Sequence, residues 1–245
     1  MSLKILFMGT PEFSVPILKS INDSNYQLLA VYTQPPKKKF RGQKIIESAI
    51  HKNALKLNIP IRCPDSLSEE SEYEFIKNLK VDIAVIVAYG KIIPSKILNI
   101  KNIKFINIHA SLLPKWRGAA PIQRAIMNMD KETGISIMKI EEKLDAGPVM
   151  KSFKTLIKKN STYESLSKEL SSLSATKIIE CLDIIRDKKE NFISQDHSKA
   201  TYAKKINKNE GQINWNEDAS NLIGKINGLF PVPGAFFNFD GERYK

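Results

Sequence analysis

The chain has little cysteine and little histidine. Cys63 and Cys181 are its 2 thiols, and His51, His109 and His197 its 3 imidazoles, all far apart in sequence. Two cysteines cannot build a disulfide framework, and with no C-x-x-C pair a structural zinc site is disfavoured. No apolar run approaches the roughly 18 residues of a membrane helix. The N-terminal MSLKILFMGTPEF lacks the longer apolar region and cleavage site of a signal peptide, so a cytoplasmic protein is the default expectation. The nucleotide-binding fingerprints G-x-G-x-x-G and G-x-x-x-x-G-K-[ST] are missing too. The first apolar run ends in Gly9-Thr10-Pro11-Glu12-Phe13, where a single glycine disfavours close approach of a dinucleotide.

Acid is the scarce charge: 38 basic residues against 26 acidic leave +12. Such a balance suggests a polyanionic partner, nucleic acid first. Of the basic residues 32 are Lys and 6 Arg, beside abundant Ile and Asn. An AT-rich genome produces the same bias without selection for RNA binding. Otherwise the composition is that of a globular protein: 245 residues, 42% hydrophobic and 26% charged. That is one large domain or two small ones, with room for a real core.

Short apolar runs alternate with helical stripes. Strands are expected at 4–8, 28–33, 81–88, 103–109, 134–140 and 149–157. Helices are expected after Ser14, over 45–57, 68–79 and 121–129, and from a Ser161-x-x-Glu164 capping box to about Asp187. This order predicts an α/β fold, a mainly parallel Rossmann-like sheet with flanking helices. Residues 34–44, QPPKKKFRGQK, hold five basic side chains and no acid and read as a mobile loop. Residues 188–205 are polar, basic and without periodicity, and read as a linker. A helix at 219–226 follows, then a hairpin turning at Asp240-Gly241. The last 40 or so residues look like the start of a domain that is cut off.

The chemistry concentrates in 105–121, FINIHASLLPKWRGAAP. Asn107 and His109 are two apart on a strand and share a face near its C-terminal end, where open α/β sheets bind ligands. The plain alternative is a histidine that caps the next loop and an asparagine bonded to backbone. Trp116 between Lys115 and Arg117 suits either stacking on a base or anchoring a core. Asp145, in Leu144-Asp-Ala-Gly-Pro148, suits either a turn or the carboxylate that orients a histidine.

Taken together these stretches resemble the methionyl-tRNA formyltransferases. Asn107, His109, Ser-Leu-Leu-Pro and Asp145 are shared with the wider formyltetrahydrofolate-using superfamily. Met8-Gly-Thr-Pro-Glu-Phe13 and Trp116-Arg-Gly-Ala-Ala-Pro-Ile-Gln123 are narrower. The resemblance implies a catalytic domain over 1–187, a linker over 188–205, and over 206–245 the truncated start of a tRNA-binding, OB-like β-barrel. It implies formyl transfer from 10-formyltetrahydrofolate to the amino group of initiator methionyl-tRNA, by a monomer, without a metal or a membrane. Asn107 would donate to the developing oxyanion, His109 would carry the proton, and Asp145 would hold His109. Ser111, Leu112, Leu113 and Pro114, with the backbone of Val87, Ala88, Tyr89 and Gly90, would lie beside the folate. Lys37, Lys38, Lys39 and Arg41 would meet tRNA phosphates. The rival readings are an RNA-binding protein without catalysis and a formyltransferase for a small amine.

Overall fold

The computed structural model describes residues 2–39 and 44–245. In chain order the strands and α-helices are β1 (Lys4–Gly9), α1 (Val15–Asn22), β2 (Gln27–Tyr32), β3 (Lys37–Lys39), β4 (Lys44–Ile46), α2 (Ala49–Lys56), β5 (Ile61–Arg62), α3 (Glu70–Leu79) and β6 (Ile83–Val87). They continue with α4 (Ser95–Leu98), β7 (Lys104–His109), β8 (Arg117–Gly118), α5 (Pro121–Met127), β9 (Glu132–Lys139), β10 (Val149–Leu156) and α6 (Tyr163–Arg186). Then follow β11 (Tyr202–Ala203), α7 (Ala219–Leu229), β12 (Phe237–Phe239) and β13 (Glu242–Tyr244).

Seven strands form one sheet in the order β10-β9-β7-β6-β1-β2-β5. From β7 to β5 every pairing is parallel; β9 and β10 add antiparallel. The parallel strands are apolar on both faces because both faces are covered. Ile5 and Phe7 of β1 join Ile17 and Leu18 of α1 and Leu170 and Leu182 of α6 in one core. Leu6 and Met8 point the other way, to Ile76 of α3 and Ile97 of α4. Period-two alternation thus gives each strand two cores, and the mainly parallel α/β expectation holds.

Several boundaries differ from the sequence pattern. The helix expected over 45–57 starts at Ala49, because Ser48 caps it by accepting from His51 N at 2.9 Å. The apolar pair before the cap lies instead in β4, which pairs antiparallel with β3. Part of the segment read as a mobile loop over 34–44 is therefore strand, Lys37–Lys39 in β3 and Lys44 in β4, and its Arg41 lies outside the described residues. The capping box of α6 is Thr162 with Ser165, one residue on from the expected pair. Ser161 Oγ is taken up by the Lys158 N–H in the preceding turn, at 3.0 Å.

The segment read as a linker is bonded to the sheet and its loops. Ile193 exchanges backbone bonds with Val149, and β11 pairs with β8. Beyond it, α7 packs on α5. A Cβ at Gly228 would lie 2.7 Å from Met127 Cγ and 3.0 Å from Gln123 O, and one at Gly224 would lie 3.0 Å from Met127 O. The two glycines, four apart, let the helices touch at this face. The terminal hairpin turns where expected, with Asp240 at φ 47° and Gly241 at φ 77°, the signs a type I′ turn needs.

A buried charge cluster ties β2 and β5 to α3. Glu72, 3% exposed, accepts from Tyr32 Oη at 2.6 Å and from Arg62 at 2.9 and 2.5 Å. Burial pushes the Glu72 carboxyl up, but the hydrogen bonds from Arg62 and Tyr32 outweigh it and hold the carboxyl below its usual range. A depressed folded-state pKa contributes stability that is present above the unfolded value and lost as pH falls through the folded one. Glu72→Gln is expected to lower stability by about 1–3 kcal/mol near neutral pH. It should also flatten the acid limb of the stability curve below pH about 4.5; denaturant titrations at several pH values check both. Gly228→Leu is expected to lift α7 from α5, since the new side chain has no space. Limited proteolysis should then cut residues 204–218 faster than in the wild type while residues 1–187 stay protected.

Candidate active site

The strand order turns back at β1, with β2 and β5 on one side and β6 and β7 on the other. Beyond the C-terminal ends of such strands an open α/β sheet has its crevice. Between β1 and β6 this crevice is tied together. Ser14 Oγ donates to Val87 O at 2.7 Å, and Thr10 Oγ1 to Tyr89 O at 2.8 Å. The first turn is pinned to the end of β6, in keeping with the missing phosphate-binding glycines. The polar groups lie one strand further on, at the end of β7.

Ile106 and Ile108 of β7 enter the first core, so Phe105, Asn107 and His109 face the other side, as the period of two requires. Phe105 is core there. Asn107 is half-buried, and its side-chain amide has no hydrogen-bond partner among the described residues. His109 is 6% exposed, and its Nε2 lies 2.8 Å from Trp116 O. A carbonyl only accepts, so Nε2 carries hydrogen and donates. Nδ1 then faces Asp145 Oδ2 at 3.7 Å. The carboxylate sits at ion-pair distance, beyond a hydrogen bond. It is held by Gly118 N, which donates to the same Oδ2 at 2.8 Å. The loop over 140–148 starts beside Phe105, where Ile140 N bonds to Phe105 O, yet brings Asp145 to His109, so it crosses the face of β7. The structure thus brings Asn107, His109 and Asp145 to one place.

The loop after β7 is shaped by its own polar groups. Ser111 is fully buried, and its Oγ donates to Lys115 O at 2.5 Å. Ser136 of β9 donates to Ser111 O at 2.8 Å and accepts from Leu113 N at 3.1 Å. The Ser111 hydroxyl therefore builds the turn, and Leu112, Leu113 and Pro114 are the half-buried members. At the end of β6, Val87 and Tyr89 are buried while Ala88 and Gly90 are exposed, with φ of 47° and 78°. Tyr89 turns its ring into the second core, where its hydroxyl is buried without a partner among the described residues. Burial pushes that hydroxyl's pKa up. At this edge Tyr89 and Val87 contribute backbone alone, and their carbonyls already accept from Thr10, Ser14 and Gln34.

Trp116 adopts φ 61°. Its indole donates to Asp130 at 2.7 Å and its N–H to Thr201 Oγ1 at 2.9 Å. Of the two uses its flanking cations suggested, the structure shows the anchor. Gly118, at φ 116°, lies so near the 188–205 segment that a Cβ would stand 2.9 Å from Ala203 O. Lys37 Nζ donates to Gln34 Oε1 at 2.5 Å, and Gln34 Nε2 donates to Tyr89 O and Gly90 O at 3.0 and 3.1 Å. The start of the basic hairpin is thereby tied to the end of β6. Lys38 and Lys39 lie on β3.

Sequence reasoning missed Ser136, Gln195 and the Trp116 carbonyl. Serine inside the apolar run Ile135-Ser-Ile-Met138 was a readable signal for the first. A buried polar residue in a polar segment gives none for the second. Among the described residues no group of three His, Cys, Asp or Glu comes together to hold a metal ion, and no helix is long and apolar enough to cross a membrane.

Two family models match the chain, Formyl transferase over residues 3–182 and the Formyl transferase C-terminal domain over 205–245. A methionyl-tRNA formyltransferase from Pelagibacter ubique is 58% identical over 246 residues, covering 100% of this chain and 79% of the relative. One from Coxiella burnetii is 45% identical over 242 residues, covering 99% and 77%. Among solved structures, a sugar N-formyltransferase from a Shewanella species superposes with TM-score 0.73 at 17% identity, covering 99% of this chain and 95% of that one. HypX from Aquifex aeolicus in complex with tetrahydrofolic acid gives TM-score 0.73 at 15% identity, covering 99% and 37%. These two share the fold. With both family models matched and relatives this similar along the whole chain, the chain belongs to the formyl transferase family.

Proposed function

We propose that this chain transfers a formyl group from 10-formyltetrahydrofolate to the amino group of initiator methionyl-tRNA. The observation that carries the acceptor is the 58% identity to a methionyl-tRNA formyltransferase over 100% of this chain, through the residues matched by the C-terminal model. The sugar N-formyltransferase spans the same residues at only 17% identity, so it is the 58% identity, not the length, that favours the tRNA acceptor over a small amine. An RNA-binding protein without catalysis would give no reason for a free asparagine amide beside a histidine–carboxylate pair. Every group named here lies in one chain, so the proposal needs no second subunit. An acceptor used in translation initiation fits the expectation of a cytoplasmic protein.

The residues at the edge of β7 fit the co-substrate. The half-buried Asn107 amide is left without a partner among the described residues, and Leu112, Leu113, Pro114, Ala88 and Gly90 are accessible groups in the two loops that follow β7 and β6. The co-substrate supplies an activated formyl carbonyl. The Asn107 amide donates to its oxygen, where negative charge builds up as the amine attacks. An amide keeps its protons at every relevant pH, so it stays a donor throughout. His109 takes the amine's proton at Nδ1, because Nε2–H is already given to Trp116 O. It returns the proton to the donor's nitrogen as the bond from that nitrogen to the formyl carbon breaks, so that formylated methionyl-tRNA and tetrahydrofolate leave and His109 is again neutral. Asp145 Oδ2, 3.7 Å from His109 Nδ1, stabilises the imidazolium formed between these two transfers. At this separation and an effective dielectric of about 20, the attraction is of the order of a few kcal/mol.

Asn107→Ala, His109→Ala and Asp145→Ala are each expected to lower kcat by about 10²-fold or more, with folate affinity little changed. Their losses should not add, because all three act on one transition state. Formylation of methionyl-tRNA followed in single and double variants checks this, and near-wild-type turnover by His109→Ala would refute the mechanism. For the basic hairpin, neutralising Lys37, Lys38, Lys39 and Arg41 should weaken tRNA binding. The salt dependence of that binding should flatten by roughly one unit of slope for each phosphate left without its cation, with folate binding unaffected. An unchanged affinity and slope in filter-binding titrations would make the hairpin an ordinary solvated surface.

A further inference from the structure

The segment over 188–205 holds the site from behind. It is anchored at one end by Ile193, whose N–H and C=O bond to Val149 at 2.9 and 2.8 Å. At the other end Ala203 O accepts from Ala119 N and Ala120 N at 2.9 and 3.2 Å. Between the anchors lies Gln195, 8% exposed. Its Nε2 donates to Asp145 O at 2.9 Å and to Gly147 O at 2.7 Å. Its Oε1 accepts from Arg117 Nε at 3.1 Å and Nη2 at 2.7 Å. One primary amide has two N–H donors and two lone pairs, so every bonding position of this side chain is used.

These bonds join the two loops whose spacing the reaction depends on. Arg117 stands between Trp116, whose carbonyl takes the His109 Nε2–H, and Gly118, whose N–H holds the Asp145 carboxylate. Asp145 and Gly147 belong to the other loop. Arg117 is only 3% exposed, and among the described residues no carboxylate lies within ion-pair distance of it. Besides Gln195, its guanidinium meets His197 Nδ1 at 3.0 Å. A buried cation without a counter-charge is costly, so its place is poorly explained by stability alone. It is well explained as the handle by which Gln195 grips the loop after β7. A glutamate would neutralise Arg117 but has no N–H for the two carbonyls. Only an amide joins a cation on one side to two carbonyls on the other.

We infer that Gln195 is a positioning residue for formyl transfer, setting the approach of Asp145 to His109 by bonding both of their loops. This rests on the reading given under Proposed function. Groups held this way typically cost 10- to 100-fold in activity when their support is removed.

The test uses the full chain with Gln195→Met, close in size and unable to make any of these bonds, and Gln195→Glu, which keeps the contact to Arg117 and guards against simple misfolding. Both should lower kcat about 10- to 100-fold with KM for methionyl-tRNA and for the formyl donor unchanged within about twofold. In an Asp145→Asn background, Gln195→Met should cost less than about threefold more, because its effect passes through Asp145. Wild-type kcat in Gln195→Glu would overturn the inference. So would losses that multiply with Asp145→Asn, or a loss confined to KM. A readout that needs no turnover is hydrogen exchange of the Gly118 amide, which the Asp145 carboxylate protects. It should speed up at least about 10-fold in both variants while amides of β1 and β6 stay slow. Unchanged Gly118 exchange would overturn the inference even if the wild-type chain formylated nothing. Absence of formylation by the wild type would instead count against the parent reading.

Discussion

A buried polar group must find a partner, and this requirement organises the whole edge of the sheet. β7 carries a histidine into a position 6% exposed. One ring nitrogen is satisfied by the Trp116 carbonyl, and the other faces the Asp145 carboxylate. The carboxylate is satisfied by the Gly118 N–H. Arg117, between those two backbone groups, is satisfied by Gln195 and His197. The chain of obligations runs from a strand of the sheet to a segment 86 residues later. Asn107 stands out because its amide is left without a partner among the described residues, and the proposed role as oxyanion donor rests on that.

The same rule explains why the nucleotide-binding crevice of the fold is not where the chemistry gathers. Ser14 and Thr10 spend their hydroxyls on carbonyls at the end of β6. The usual crevice is closed by hydrogen bonds rather than by bulk, and the polar cluster moves one strand along. The antiparallel β9 then becomes necessary. Because it runs back beside β7, its following loop crosses the face that holds His109 and can deliver Asp145 there.

The added strand serves both core and positioning, with Ile135 and Ile137 of β9 fully buried in the first core, and the added segment serves positioning. Ser136 of β9 fixes the turn after Ser111 through bonds to both of its arms. Residues 188–205 bond to β8, to Val149 and to the Asp145 loop. Polar backbone and amide bonds give a defined spacing that apolar packing tolerates less strictly. The site is therefore held by directional bonds on all sides, and the core beneath it supplies rigidity.

The sequence by itself determined a mainly parallel sheet buried on both faces, because strands that are apolar throughout need helices on both sides, while the strand order came from the tertiary structure. It also determined that Asn107 and His109 share a face, since a strand alternates with a period of two. It determined the Asp240-Gly241 turn, which needs two residues at positive φ. It misplaced the start of α2, because Ile45 and Ile46 fit a helical stripe as well as a short strand, and only the Ser48 cap decides between them. It misplaced the capping box of α6 by one residue, where two adjacent hydroxyls compete for the same role. It could not show that Asp145 approaches His109, because one lies in the loop after β9 and the other ends β7, and they meet only once β9 is laid antiparallel to β7. Least legible was Gln195. Nothing in a polar, aperiodic stretch marks one amide as buried, and only the tertiary structure, by closing that stretch over Arg117 and the Asp145 loop, gave each of its bonding positions a partner.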